Sequence, residues 1–198
     1  MKELLGASLY MVALINPVSK VFILSLLSEH AEQQEIRRAS VRASVVALVI
    51  LLSLAAAGHL ILTFVFHVEL YSLRIAGGII LFAIGYKALA QGVFFEVRDT
   101  ESVTDVSIVP LASPMIAGPA TITAAISFPA EFGLLKASTA IVAAVGINLV
   151  VMLLSGQIGR LLQQHNVMGA LIRITGLVVA TIAVQMVLAG VADWYHAL

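Results

Sequence analysis

The sequence predicts an all-α integral membrane protein of six transmembrane helices, built as two inverted three-helix repeats, with helices one and four broken near the midplane. Three observations predict it. Apolar stretches long enough to cross a bilayer recur along the chain, its two halves align with each other, and the least helix-compatible residues fall at equivalent places in those halves. Hydrophobic residues make up 61% of the 198 and charged residues 11%, with a mean hydropathy of +1.06, whereas about a quarter of a soluble domain is charged. Each span needs roughly 20 residues, so helices and short loops use up the length. Residues 1–198 are therefore expected to form a single transmembrane domain, repeat one covering about 1–99 and repeat two about 100–198.

Apolar runs between charged or turn-forming borders place the spans at about Leu4 to Leu27, Val41 to Val65, Leu70 to Gly92, Ile108 to Phe128, Leu134 to Ile158 and Met168 to Ala192. The first run continues past Asn16 and Pro17 without a small-x-small cleavage site, so it has the length of a span rather than of a signal segment. The most polar connections are Ser28 to Ser40 and Phe94 to Ser107. With the N-terminus outside, the inner side collects Arg37, Arg38, Arg42, Arg98, Arg160 and Arg173, and the outer side keeps Lys2, Arg74 and Lys136. The positive-inside bias thus favours both termini outside a bacterial-type inner (plasma) membrane, with Trp194 and Tyr195 as an outer interfacial anchor.

The repeat is visible where Ser8 to Glu29 lies over Pro110 to Glu131, pairing Pro17 with Pro119, Ser25 with Ser127 and Glu29 with Glu131. Leu73 to Ala90 lies over Ile172 to Ala189 at nearly the same offset, pairing Arg74 with Arg173 and Gly77 with Gly176. Three spans per repeat is an odd number, so the second copy must enter the membrane from the opposite face. Inverted repeats of this kind place substrate at the midplane between them.

The helix-breaking residues are Asn16-Pro17 in span one, and Ser113-Pro114 followed by Gly118-Pro119 in span four. Proline removes one backbone hydrogen bond, obstructs another and pushes its predecessor out of helical geometry. Such a break persists at membrane depth only where protein buries it or it lines a wet cavity. It offers half-helix N-termini to a carboxylate and free carbonyls to a cation or ammonium. Candidate substrate-binding residues are Asn16, Pro17, Ser19, Lys20, Ser113, Gly118, Pro119, Thr121 and, deep in span five, Asn148. Lys20 has two readings, an intramembrane functional amine or a side chain snorkelling to the surface. Thr123 and Ser127 are expected to bond backbone or neighbouring helices.

Several function classes are not expected. Zero formal net charge and the lack of a basic block argue against a nucleic-acid partner. Without cysteine there is neither a disulfide nor a thiolate site. No Asp or Glu lies deep in a proposed span, which disfavours metal transport. A phosphate loop, a G-x-S-x-G elbow and paired catalytic carboxylates are all missing, so neither an enzyme nor a cofactor is expected, beyond a coupling ion of H⁺ or Na⁺.

On Asn16-Pro17, on PLASPMIAGPATIT from Pro110 to Thr123, on RIAGGIILFAIG from Arg74 to Gly85 and on RITGLVVATIAVQMVLAG from Arg173 to Gly190, the chain resembles the MarC family of inner-membrane proteins. That family includes SnatA-type neutral amino acid transporters and is grouped with the LysE exporter superfamily. The resemblance implies six helices, transport of glycine- or alanine-like solutes, and a site at the two breaks that carries over to Asn16, Pro17, Gly118, Pro119 and Thr121. Ser19, Lys20 and Phe22 depart from the usual pattern, which has a Gly, a small polar residue and a second proline there. The expected function is secondary transport of small neutral amino acids, as exporter or exchanger. Its rivals are a channel-like pore and a non-transporting membrane scaffold. The expected partners are the lipid bilayer and a small-molecule substrate, with room for a homo-oligomer.

Overall fold

The computed structural model describes residues 2–27, 32–94, 116–164 and 167–198. Among these there is no strand. The helices are α1 (Lys2–Ile15), α2 (Pro17–Leu27), α3 (Gln33–Leu60), α4 (Leu70–Gln91), α5 (Pro119–Phe132), α6 (Leu134–Leu153), α7 (Ser155–Gln164) and α8 (Met168–His196). A π-helical turn at Ile61–Val65 prolongs α3. Among the described residues, five stretches are long and apolar enough to cross a membrane: Glu3–Ser25, Gln33–Val65, Leu70–Gln91, Leu134–Leu153 and Met168–His196. The first part of the expected fourth span, with Ser113-Pro114, and most of the polar connection before it lie outside the described residues.

Two boundaries differ most from the sequence expectation, while α5 and α8 each run four residues past the expected end, to Phe132 and His196. The polar stretch before the second span is helical from Gln33 onward, because Gln, Glu and Arg are strong helix formers and Glu35 in the first turn complements the helix dipole. The fifth span stops at Leu153 instead of running on to Ile158. Ser155 and Gly156 weaken the helix there, and Gln157, Arg160 and Gln164 then alternate with apolar residues to make α7 a separate amphipathic helix.

Charges gather at the two ends of the bundle. One end holds the ion pair of Lys136 with Glu3 (3.0 Å) and those of Arg74 with Glu131 and with Asp193 (2.7 Å). The opposite end holds Arg37 and Arg160, which line a polar cleft of about 820 Å³ with Gln33 and Ser155. Between the ends, Val45, Val49, Ile79, Ile174 and Leu188 expose their side chains, as lipid-facing positions of an apolar span do.

The closest packing joins α4 to α8, and small residues permit it. A Cβ added at Gly85 would lie 2.7 Å from the Ala180 nitrogen and 2.9 Å from the Gly176 oxygen. One added at Gly176 would lie 2.9 Å from the Leu89 nitrogen, and one at Gly190 would lie 2.9 Å from the Tyr71 oxygen. The two helices therefore run antiparallel with backbones in contact, the geometry that small residues give membrane helices. Gly85→Ala or Gly176→Ala forces backbone apart, an overpacking cost of about 1–3 kcal/mol. We expect the melting midpoint in detergent to fall by roughly 3–10 °C. Gly146→Ala, where the new Cβ meets nothing within 4 Å, should leave it unchanged or raise it slightly.

Candidate functional site

The two proline breaks meet in the middle of the bundle. At the first, α1 ends at Ile15 and α2 begins at Pro17. Asn16 between them adopts φ 55°, the left-handed conformation that Asn tolerates better than other side-chain-bearing residues. Pro17 has no N–H for the Ala13 carbonyl, and the last carbonyls of α1 lose their helical partners. Side chains from the first turn of α2 turn back to replace them. The Ser19 hydroxyl donates to the Asn16 carbonyl at 2.7 Å, and the Lys20 amine donates to the Ile15 carbonyl and, at 3.3 Å, to the Ser19 hydroxyl.

The second break has the same form. Gly118 is extended (φ −87°, ψ 174°) and Pro119 opens α5 at a position where its missing N–H costs nothing. Two residues on, the Thr121 hydroxyl lies 2.8 Å from the Ile116 carbonyl and 2.9 Å from that of Gly118. In both breaks, then, a residue outside helical geometry precedes proline, and a hydroxyl two positions after the proline bonds that residue's carbonyl.

Asn16, Ser19, Lys20, Gly118, Pro119 and Thr121 wall one cavity of about 40 Å³, together with Leu14 of α1, Leu81 and Ile84 of α4, and Val179 of α8. At roughly 10–15 Å³ per water on this measure, it has room for about three waters. A second cavity, about 320 Å³, is stacked on it toward the end that carries Glu3 and Asp193. The same four helices line both. Gly6, Ala7 and Tyr10 of α1 line the larger cavity and Leu14 and Ile15 the smaller; on α5 the order is Thr123 to Phe132, then Pro119 to Thr121; on α8 it is Gln185, Met186 and Ala189, then Val179. The turns between them are tightly packed. Met11 and Ala183 are fully buried, and a Cβ on Gly77 would collide with the Thr123 hydroxyl.

The larger cavity is a vestibule with an aromatic wall and a charged mouth. Tyr10 and Phe128 rings are 6.0 Å apart, and Phe128 and Phe132 meet edge-to-face at 5.4 Å. Arg74 of α4 spans the mouth to Glu131 of α5 and Asp193 of α8, with its Nε 3.4 Å from the Ser127 hydroxyl.

A family model described as MarC family integral membrane protein matches residues 1–195. The chain belongs to the MarC family. A UPF0056 membrane protein of Pyrococcus horikoshii is 35% identical to it over 190 residues, 96% of this chain and 94% of that protein. The UPF0056 inner membrane protein YhgN of Escherichia coli is 32% identical over 199 residues, 98% of each chain, and YvbG of Bacillus subtilis 29% over 203 residues, 94% of this chain and 92% of that protein. No solved structure matches.

Within this MarC protein, the structure brings together Asn16, Pro17, Ser19, Lys20, Gly118, Pro119 and Thr121. Ser113 lies outside the described residues. Asn148 is fully buried but lines neither cavity. It sits on the α6 stripe that also holds Ala144, Val145 and Met152; its amide nitrogen is 3.2 Å from the Met152 sulfur, and its oxygen has no hydrogen-bond partner among the described residues. The vestibule residues Tyr10, Arg74 and Glu131 were not among the expected site residues. The signals for them are Arg74, a charge at the edge of a span with a counterpart at Arg173, and Glu131, the repeat counterpart of Glu29. The break at Asn16 yields a stability test. Asn16→Gly keeps the left-handed backbone and should leave the melting midpoint within about 3 °C, whereas Asn16→Val, strained there by on the order of 1–3 kcal/mol, should lower it clearly.

Proposed function

We propose that this MarC protein is a secondary transporter of small neutral amino acids of glycine or alanine size, working as exporter or exchanger. One observation carries the reading: a vestibule and a smaller cavity are stacked between the same four helices, and both helix breaks wall the smaller one. A carrier needs a central site reachable from one side at a time, and broken helices supply it with polar groups that an apolar bundle otherwise lacks. The tightly packed turns between the cavities favour a carrier over a pore that stays open.

The six spans would form two inverted repeats. Three pairings support this: the proline breaks, with Ser19 and Thr121 in equivalent roles; the antiparallel pair of α4 and α8; and the two matched arginines. Arg74 reaches Asp193 near the C-terminal end of α8 at one end of the bundle, and Arg173 donates to Leu89 (2.9 Å) near the C-terminal end of α4 at the other. In this reading the vestibule opens outward and both termini face the outside. The whole chain acts as one membrane domain without enzymatic chemistry or a bound cofactor.

Counterflow of labelled alanine and glycine in liposomes, with and without H⁺ and Na⁺ gradients, tests the function. Saturable counterflow is expected, and Asn16→Gly or Thr121→Ala should reduce it by about tenfold or more in folded protein, since each removes a polar side chain from the cavity. Linear, unsaturable flux would favour a pore, and absent flux would remove the transporter. Because the chain has no cysteine, single cysteines report sidedness directly. Cysteine at Glu3 or Asp193 should label from outside intact cells with a membrane-impermeant maleimide, and cysteine at Gln34 or Arg160 only after permeabilisation.

A further inference from the structure

Lys20 gives the central cavity a charge of its own, and its geometry says which part of a ligand that charge replaces. The side chain is 1% exposed. A snorkelling lysine would extend along its helix toward an end of the bundle. Here the amine turns back across the break to the carbonyl of Ile15, five residues earlier, and to the Ser19 hydroxyl. Snorkelling is therefore not what holds it.

The Ile15 carbonyl belongs to the last turn of α1, the negative end of a half-helix. In a broken membrane helix that is the place where a substrate ammonium or a coupling cation is received. In this chain a covalently attached amine already sits there. Across the same cavity, α2 and α5 start at Pro17 and Pro119 with their positive ends at its wall. The cavity therefore already contains the amine half of a zwitterion, and among the described residues what it offers an incoming ligand is positive.

We propose that the Lys20 amine stands in for the substrate ammonium, so that the central cavity selects small monocarboxylates and makes the ligand's own amino group dispensable. The proposal rests on the transporter reading above and deepens it. Neutral amino acids are bound through their carboxylate, and 2-hydroxy acids of the same size are substrates as well. A cavity with room for about three waters fits a ligand of only a few heavy atoms.

Three ligands of one shape separate the contributions: alanine, lactate (hydroxyl in place of the amino group) and alaninamide (no carboxylate). Labelled alanine and labelled lactate are each tested for counterflow in liposomes containing the full-length protein, with the other compounds as competitors. Lactate should be carried and should compete within about threefold of alanine, whereas alaninamide should fail to compete even at roughly 100-fold excess. Alanine counterflow with lactate inert, or competition by alaninamide, overturns the proposal and leaves the transporter reading standing. Loss of both fluxes removes both.

Lys20→Met adds a readout that a merely structural lysine would not move. Its vacated carbonyl can accept a charge-assisted bond from the ammonium of alanine but only a neutral hydroxyl bond from lactate, so lactate flux should fall by about tenfold or more relative to whatever alanine flux remains. Lys20→Arg should carry both. A folded, monodisperse Lys20→Met protein that still carries lactate, or that carries neither ligand, overturns the assignment. Should Lys20→Met fail to fold, the wild-type competition series decides alone.

Discussion

A backbone polar group left without a partner in hydrocarbon costs several kcal/mol, and the rest of this structure is arranged around two places where the chain accepts that risk. Asn16-Pro17 separates α1 from α2, and Gly118-Pro119 opens α5 after an extended residue. The remedy is local in both. A hydroxyl two residues beyond the proline returns to the carbonyl of the residue before it, and the carbonyls farther back, of Ile15 and Ile116, are taken by Lys20 and Thr121. Because each remedy comes from the first turn of the following helix, the break and its repair form one unit. The two units face each other across the same small cavity.

The breaks could be read from the sequence because proline and its predecessor act on the backbone wherever they occur, whatever packs around them. Asn16, Ser19, Lys20 and Thr121 follow from that local chemistry. Direction around a helix axis does not. Asn148 lies deep in a span, as expected, but depth alone cannot say which neighbour it faces, and it belongs to a stripe buried away from both cavities. The Arg74 cluster was out of reach for another reason: its partners Glu131 and Asp193 are 57 and 119 residues away in sequence, and only the packing of α4 beside α5 and α8 brings them together. Helix ends depended on balance. Polar residues of high helix propensity extended α3 back to Gln33, while Ser155-Gly156 ended α6 early although apolar residues continued.

Packing is unevenly distributed between the helices that enclose the cavities. α4 and α8 touch through backbone at Gly85, Gly176 and Gly190, and that contact has no slack, because there is no flexible side chain at those positions to yield. The charged groups at their ends add to it, Arg74 to Asp193 and Arg173 to the Leu89 carbonyl. The faces of α1 and α5 toward the cavities are different. They carry Tyr10, Thr123 and Phe128, side chains with void space beside them.

That contrast decides where the bundle can open. A typical hydrogen bond contributes about 0.5–1.5 kcal/mol net, so separating Thr123 from α4, where its hydroxyl is 3.5 Å from the Leu73 carbonyl, is a small step. Pulling α4 from α8 would undo a run of backbone contacts at once. Any movement that joined the vestibule to the central cavity would therefore fall on α1 and α5, the two helices that meet the breaks, and would leave the glycine-packed pair as the fixed side. The break residues lie where those helices would pivot. Asn16 and Gly118 lie outside helical geometry, yet the Asn16 N–H still closes the last turn of α1 on the Val12 carbonyl and the Gly118 carbonyl receives the Ile122 N–H at 2.9 Å, so a bend at these residues that keeps both bonds pivots between the helices, at the residues that wall the cavity.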